Sequence, residues 1–127
     1  MLTAAEALAD HFDCQIPTVQ FYLEPPTDDN NYREEAIAFL KGKKLRTHYR
    51  SKRTNRLHLQ PLKCGGLTAD NADGMYAYEG VLNISVRQHF FAVHRIYLKH
   101  WRLPCLEVKH KNGHSSYYPL ELIEVLN

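Results

Sequence analysis

Cysteine is scarce in this chain, and its three copies stand far apart, at Cys14, Cys64 and Cys105. An odd number of isolated cysteines argues against a disulfide framework and indicates a reducing compartment. We therefore expect the protein in the cytoplasm, with the nucleus as a second candidate.

Long apolar runs are also missing. No stretch of the 127 residues approaches the roughly 20 apolar residues of a membrane helix, and the N-terminal sequence MLTAAEALADHFDC lacks the basic start and apolar core of a signal peptide. We expect no membrane partner. The length suits a single domain with its own core, and we expect that domain to belong to a longer protein.

Acidic residues are absent from position 41 to position 69, where nine of the sixteen basic residues fall. These are Lys41, Lys43, Lys44, Arg46, Arg50, Lys52, Arg53, Arg56 and Lys63. A solubilising surface is one explanation. The missing acids and the interleaved rings of His48, Tyr49 and His58 favour a polyanion site, because single-stranded nucleic acids need cations for phosphates and flat rings for bases.

Motifs for catalysis are weak. The eight histidines form no pattern that favours a zinc site. Cys105 lies between Pro104 and Leu106 in an apolar run, which indicates a buried structural cysteine rather than a nucleophile. The CGGL segment lacks the lysine and serine of a phosphate-binding P-loop. We expect no enzyme activity, no metal and no cofactor.

Local patterns predict helices first and short strands afterwards. Thr3 and Glu6 form a capping box for a helix that ends near Asp13, and a second helix runs from about Asp29 or Asn30 to Lys41. Between them, TVQFYLE alternates like a short strand. The segments KKLRTHY and RLHLQPL alternate as strands joined by the basic turn RSKRTN, and KCGGLTADNADG has the composition of a loop.

In the second half, MYAYEGVLNISV predicts a hairpin, and Ser85 with Gln88 opens a helix that runs to about Arg95. IYLKHW and LPCLEVK follow as strands, Asn112 and Gly113 mark a hairpin turn, and SSYYPLELIEV closes the hairpin. The pattern predicts a mainly β fold with helices, of the α+β class: a small β-barrel with N-terminal helices.

Aromatic rings are spread through the part of the chain that is predicted to be β. They are Tyr49, Tyr76, Tyr78, Tyr97, Tyr117 and Tyr118, together with Phe90, Phe91 and Trp101. Any one of them could fill a barrel core, but together they exceed what a small barrel must bury. A basic crevice lined by half-exposed tyrosines is typical of single-strand binding.

Each of the last two apolar segments contains a proline, Pro104 in the first and Pro119 in the second. The pattern L-P-C-L-x-V, a turn, and Y-x-P-L-E-L resembles the closing segment of the PAZ domain of the Argonaute/Piwi family, in a divergent branch. The matching residues are Leu103, Pro104, Cys105, Leu106, Val108, Tyr117, Pro119, Leu120 and Glu121. The segments SVRQHFFAVHRIYLKHWRLPCL and LKGKKLRTHYRSKRTNRLHL are similar to that family's insertion helix and to its first barrel strand with the basic turn.

The resemblance implies one PAZ-like domain over residues 1–127. It would consist of a helical lead-in at about 3–41, an OB/SH3-like β-barrel at about 43–62 and 98–126, and an inserted β-hairpin–helix lobe at about 63–97. A crevice between barrel and lobe would receive the 3′ end of a single-stranded small RNA. The expected partners are that RNA and the rest of an Argonaute-like silencing protein, with the domain itself monomeric.

The resemblance also implies binding residues. Tyr49 falls where the family presents a histidine or a bulky aromatic ring to the phosphates. Leu57 and His58 stand where the family has a tyrosine followed by a base, so that hydroxyl is missing. The ring that stacks on the terminal base falls near Met75 or Tyr76.

Two further departures lie on the insertion helix, where His89 and His94 replace a pair of tyrosines. The full set of candidate RNA-binding residues is Tyr49, Arg50, Arg53, Arg56, His58, Met75, Tyr76, His89, Phe90, His94, Ser116, Tyr117 and Tyr118. Three alternatives stay open: a PAZ domain of a Dicer-like nuclease, a degenerate barrel that binds protein, and a small metal-dependent hydrolase.

Overall fold

The computed structural model describes residues 1–23, 32–75 and 84–126. Its helices are α1 (Ala4–His11), α2 (Ile16–Tyr22), α3 (Tyr32–Lys41) and α4 (Val86–His94). Its strands are β1 (Lys44–Thr47), β2 (Tyr49–Arg50), β3 (Leu57–His58), β4 (Pro61–Leu62), β5 (Gly66–Asn71), β6 (Pro104–Lys109), β7 (Ser115–Pro119) and β8 (Ile123–Leu126), with a 3₁₀ turn at Leu120–Leu122. Helix and strand occupy similar numbers of described residues, so the α+β class is confirmed.

Both predicted capping boxes are present. The Glu6 N–H donates to Thr3 Oγ1 at 3.1 Å, and the Thr3 N–H donates to Glu6 Oε1 at 3.0 Å, which starts α1. Ser85 and Gln88 make the same reciprocal pair at 3.0 and 2.9 Å and start α4. Because each box satisfies N–H groups that a helix start leaves unpaired, these two helices begin where the sequence predicts.

The predicted strand at TVQFYLE is wrong, because Ile16–Tyr22 forms α2. Pro17 lies in the first helical turn, where its missing N–H costs nothing. Ile16, Val19 and Leu23 follow a helical spacing, and Val19 and Leu23 are buried in the core under α1. Over seven residues the alternating pattern and the helical pattern compete, and packing against α1 favours the helix.

The strands form three small antiparallel sheets, in the orders β4-β1-β8, β2-β3 and β5-β6-β7. The chain bends between sheets at His48, whose N–H donates to the Leu122 carbonyl at 2.8 Å. Thr47 supports the bend, since its N–H donates to the Gln60 carbonyl and its Oγ1 accepts from the Gln60 N–H, both at 2.8 Å. Strands that bend from one sheet into the next build the corners of a small barrel.

The predicted loop at KCGGLTADNADG is also wrong, because Gly66–Asn71 is strand β5 and pairs with β6. The pairing shifts register between Leu67 and Asn71. At the shift, Thr68 Oγ1 accepts from the Cys105 N–H at 2.8 Å and donates to the Asp70 carbonyl at 2.6 Å. A strand with such an irregularity loses its alternation, so its composition resembles that of a loop.

IYLKHW is not a strand either, because residues 95–102 form irregular chain and turns. Their backbone is held by Glu121, whose carboxylate oxygens accept from the N–H groups of Lys99 at 3.0 Å and His100 at 2.8 Å. The Glu121 carboxylate therefore accepts hydrogen bonds that the carbonyl groups of a partner strand would otherwise accept.

Sheet β5-β6-β7 separates two cores. The first core joins α1, α2 and α3 to the sheet containing β1, and the second lies under α4. Cys105 and Tyr117 face the second core, whereas the next residues along each strand, Leu106 and Tyr118, face the first. Successive side chains of a strand point to opposite faces, so β6 is buried on both sides and its L-P-C-L start is apolar throughout.

The two prolines lie at strand ends. Pro104 is the first residue of β6, and Pro119 is the last residue of β7, where it pairs with Cys105. These are positions where a missing N–H interrupts little of the ladder.

Part of the predicted architecture stays a prediction. Most of the hairpin segment MYAYEGVLNISV, including Tyr76, lies outside the described residues. The proposed boundaries of lead-in, barrel and lobe are also predictions still. No helix in the described ranges is long and apolar enough to cross a membrane.

Candidate functional site

Five rings meet where β2 and β3 face helix α4. This ring cluster consists of Tyr49, His58, His89, Phe90 and His94. On the barrel side, Tyr49 and His58 are directly paired across β2 and β3. Their rings stack with centroids 4.6 Å apart and planes 13° apart. A cross-strand pair on one face of a hairpin brings two rings into this distance range.

On the helix side, His94 is the centre of the cluster. Its ring centroid lies 5.2 Å from that of Tyr49, 5.0 Å from His58 and 5.8 Å from His89. Phe90, one turn earlier, meets Tyr49 edge-on at 5.2 Å and is only 3% exposed. The buried Phe90 side chain therefore packs beneath Tyr49, and its predicted place among the RNA-binding residues stays a prediction.

His94 is buried, with 9% of its surface exposed, and its Nδ1 has no hydrogen-bond partner among the described residues. Burial lowers the pKa of His94, and the imidazoles of His58 and His89 act in the same direction. Burial also lowers the pKa of His89. Buried polar atoms almost always have a partner, so the unpaired nitrogen is an exception within the ring cluster.

The basic turn, residues 51–56, is fixed to the C-terminal end of α4. Arg95 adopts a left-handed conformation with φ of 56° and ends the helix directly after His94. The Lys52 N–H then donates to the His94 carbonyl at 2.9 Å, and Arg53 Nη1 donates to the Ala92 carbonyl at 3.3 Å. Cations are favourable at this end of a helix, and the contacts hold the turn beside the ring cluster.

The charges of the turn have no acidic partner among the residues that the structure describes. Within the described part of the chain, Arg46 is the one Lys or Arg of the stretch 41–69 that forms an ion pair, with Glu124 at 2.6 Å. Arg50 donates to the Asn55 carbonyl across the turn at 2.9 Å, which holds its guanidinium without neutralising it. Lys52, Arg53 and Arg56 are exposed. The turn therefore presents uncompensated positive charge.

The remaining predicted residues divide between the site and its surroundings. Met75 and Tyr117 pack against the second core together with Tyr49. Tyr118 lies on the opposite face of β7. Burial raises the pKa of the Tyr49 phenol, and the Tyr118 phenol acts in the same direction. Ser116 is in a hydrogen bond of 2.7 Å with the ring of His110, near the hairpin turn.

Part of the basic stretch lies elsewhere. Lys41, Lys43, Lys44 and Lys63 line a cavity of about 900 Å³ on the sheet containing β1 and β4, together with apolar side chains such as Leu62. These lysines are therefore separate from the ring cluster. Sequence reasoning treated the stretch as one patch and did not single out Lys52, although its place in the basic turn was a visible signal.

The geometry gives no support to a metal-dependent enzyme. Among the residues that the structure describes, no group of three or more His, Cys, Asp or Glu side chains is arranged to hold a metal ion. Burial raises the pKa of the Cys105 thiol to about 12, and the residue is fully buried. The expectation that Cys105 is structural is thus confirmed.

No protein-family profile matches the chain, and no curated protein matches it. Solved structures do. One, described as the structure and nucleic acid binding of the Drosophila Argonaute2 PAZ domain, has a TM-score of 0.68 and 18% identity and covers 100% of both chains. A second is described as the structural basis for 3′ end recognition of nucleic acids by the same domain. Its TM-score is 0.66 and its identity 16%, over 99% of this chain and 94% of that one. The chain thus has the PAZ fold, as predicted.

Proposed function

We propose that the chain is a noncatalytic domain that binds single-stranded RNA and anchors the 3′ end of a small guide RNA in an Argonaute-like silencing protein. One observation carries the proposal: a buried imidazole with an unpaired nitrogen lies in a cluster of rings beside a turn of uncompensated cations. Rings and cations in one place are what a single-stranded nucleic acid requires.

The phosphate contacts come from the basic turn and the histidines. Lys52, Arg53 and Arg56 carry the charge at the edge of the site, and the half-exposed rings of His58 and His89 lie beside the buried ring of His94. Because burial raises the pKa of Tyr49, its phenol stays protonated at neutral pH and donates a hydrogen bond to an anionic oxygen.

The packing of Phe90 and the second core beneath Tyr49 supports end recognition, because we propose that a terminal nucleotide is accommodated there more easily than the middle of a chain. The likeness to a domain described with 3′ end recognition of nucleic acids favours the 3′ end over the 5′ end. We further propose a monomeric domain that works in the cytoplasm, with the nucleus as a second location.

The test is a set of fluorescence anisotropy titrations with one single-stranded RNA in three forms: both ends free, a bulky group on the terminal 3′ ribose, and the same group on the 5′ end. We expect the 3′ block to weaken binding at least tenfold and the 5′ block to have little effect. Equal affinity for all three forms would refute end recognition. No binding to any form at low salt would favour the protein-binding alternative.

A further inference from the structure

We infer that His89 and His94 couple capture of the last phosphate of the RNA to proton uptake, so that affinity for the RNA end rises as the pH falls from 8 to 6. The inference rests on the proposed function, and it concerns two histidines of α4 that the fold brings together with His58 of β3.

The first argument is geometric. The ring centroid of His94 lies 5.0 Å from that of His58 and 5.8 Å from that of His89. A phosphate oxygen that contacts the half-exposed rings of His58 and His89 would therefore also be close to the buried ring of His94. A neutral imidazole donates one hydrogen bond, whereas an imidazolium donates from both nitrogens and adds a positive charge. Phosphate oxygens only accept hydrogen bonds, so an oxyanion in this space favours the protonated rings.

The second argument concerns the surroundings of His94. The polar groups that face it are the Tyr49 phenol from β2, the imidazoles of His58 and His89, and the Lys52 N–H and Arg53 guanidinium of the basic turn, both of which bind the end of α4. The Tyr118 phenol of β7 contributes to the raised pKa of Tyr49. Among the described residues these groups are phenols, imidazoles and cations, and they include no carboxylate that could hold a proton on His94.

The protonation state of the two histidines in the RNA-free protein follows from these surroundings. Burial and the neighbouring imidazoles lower the pKa of His94, and burial lowers that of His89, so both rings are neutral at pH 7 in the absence of RNA. A bound phosphate supplies the missing negative charge and raises those pKa values. Binding then takes one proton from solvent for each histidine that becomes charged. When one proton is taken up, the dissociation constant decreases by up to about tenfold for each unit by which the pH is lowered. This holds in the pH range between the pKa of the histidine in the free protein and its pKa in the complex.

The first experiment needs no variant. A 5′-labelled single-stranded oligouridine is titrated with the protein from pH 8 to pH 5.5, because uracil itself does not titrate in this range. Three probes are compared: the unmodified RNA, one with a neutral methylphosphonate at the last 3′ linkage, and one with the same group near the 5′ end. We expect affinity to rise about three- to tenfold per pH unit from 7.5 to 6.5 for the first and third probes, and to be nearly flat for the second.

Variants then assign the proton. His94→Tyr and His89→Tyr each keep a donor that does not titrate below about pH 10, so each should reduce the pH dependence of the affinity. His11→Gln is the control, because His11 is engaged by Glu35 outside the ring cluster. Circular dichroism establishes that each variant is folded. If His94→Tyr fails to fold, His89→Tyr and the methylphosphonate probe still show whether RNA binding is coupled to proton uptake.

The outcomes separate the two proposals. A 3′ block that weakens binding, combined with an affinity independent of pH, would overturn the proton coupling and leave the proposed function intact. The proton coupling is overturned in the same way if the RNA with the 3′ methylphosphonate keeps the pH dependence. Affinity that is indifferent to the 3′ block would overturn the proposed function itself.

Discussion

Tyr49 shows how one side chain can serve both packing and binding. Its ring stacks on His58 and touches the edge of Phe90, and its phenol is half-buried. Such a ring is rigid before a ligand arrives, so a base or sugar that contacts it loses little conformational freedom in the protein.

We predict that Tyr49→Ala weakens RNA binding by about 1–3 kcal/mol, or roughly 5- to 150-fold, the usual effect of losing a stacking ring. Tyr97→Ala is the matched control, because Tyr97 is 73% exposed and its ring contacts that of Phe91 outside the cluster. Binding is measured by anisotropy and corrected for the folded fraction. If Tyr49→Ala unfolds part of the protein while the folded molecules bind normally, Tyr49 is a core residue only.

The structural role of Arg33 could not be predicted from the sequence. Its guanidinium donates to the carbonyls of Leu23 at 2.8 Å, Leu67 at 2.7 Å and Thr68 at 2.5 Å, and burial lowers its pKa. It therefore connects the end of α2 to the irregular part of β5. In the sequence it is a lone base among eight acids, which suggests an ordinary surface charge.

We predict that Arg33→Gln lowers the free energy of unfolding by about 1.5–3 kcal/mol, because hydrogen bonds from a charged group contribute in that range. Lys111→Gln, in the exposed hairpin turn, should change it little. Urea denaturation measures both. Equal stability of the two variants would show that the three carbonyls are satisfied without Arg33.

The site residues were predictable to different degrees. Histidines at positions 89 and 94 are visible as neighbours of an apolar stripe, and both do reach the ring cluster. The burial of His94 was not visible, because it depends on β2 and β3 docking against the helix. The burial of Phe90 beneath Tyr49 likewise depends on long-range packing, and its contact with RNA stays a prediction.

At the scale of elements, the hydrogen bonds between the basic turn and the end of α4 determine where positive charge accumulates. The stretch 41–63 looks uniform in sequence, but its lysines on the β1 side line a separate cavity while residues 51–56 are held at the helix end. Strand pairing and the bend at His48 produce this division, and neither can be deduced from a charge run.

We predict that the slope of log K against log salt is about −1.5 to −3 for the wild type, because each phosphate contact on a single strand adds about −0.7. Lys52→Gln with Arg56→Gln should reduce the magnitude of the slope by about 1.4, the contribution of two contacts. The double variant Lys41→Gln with Lys44→Gln has the same change of charge but lies at the other cavity, so it serves as the control. Equal effects of the two double variants would mean that net charge alone governs binding.

Elements with strong local signals were predicted well, and those decided by tertiary contacts were not. The capping boxes of α1 and α4 specify their own starts. α2 and β5 were misassigned because seven residues carry two patterns in the first case and a register shift obscures alternation in the second.

At the scale of the whole molecule, the two cores make different contributions. The first core, under the N-terminal helices, contains the fully buried leucines Leu8, Leu23, Leu40 and Leu106. The second core is smaller, includes half-buried rings and supports the site. The molecule thus combines a well-packed scaffold with a more polar lobe, in which buried histidines lower stability when they are protonated.

We predict that the free protein loses stability as the pH falls from 7.5 to 5.5. The pKa values of His89 and His94 are lowered in the folded state, whereas unfolded histidine titrates near ~6.5. The unfolded chain therefore binds more protons, and the stability present above that pH declines as the pH falls through it. Melting temperatures measured by circular dichroism should drop across this range, and less so in His94→Tyr.

We predict a second, separate loss of stability at lower pH, caused by protonation of Glu124. Hydrogen bonds from His48 and Arg46 lower the pKa of its carboxyl group, so its contribution is present above pH about 4.5 and is lost as the pH falls through the folded-state pKa. Glu124→Gln should remove this lower step and leave the histidine step in place.

The histidine prediction has its own contradicting outcome. A melting temperature that is flat between pH 7.5 and 5.5 would contradict the burial of His89 and His94.

The claim that the site reads an RNA end is tested most directly by removing the end. A single-stranded RNA is compared with its own ligated circle, which has the same sequence and one phosphate per nucleotide but no terminus. Competition against a labelled linear probe gives the two affinities under one salt condition. The account predicts that the circle competes at least tenfold more weakly than the linear RNA. Equal competition by circle and linear RNA would contradict it.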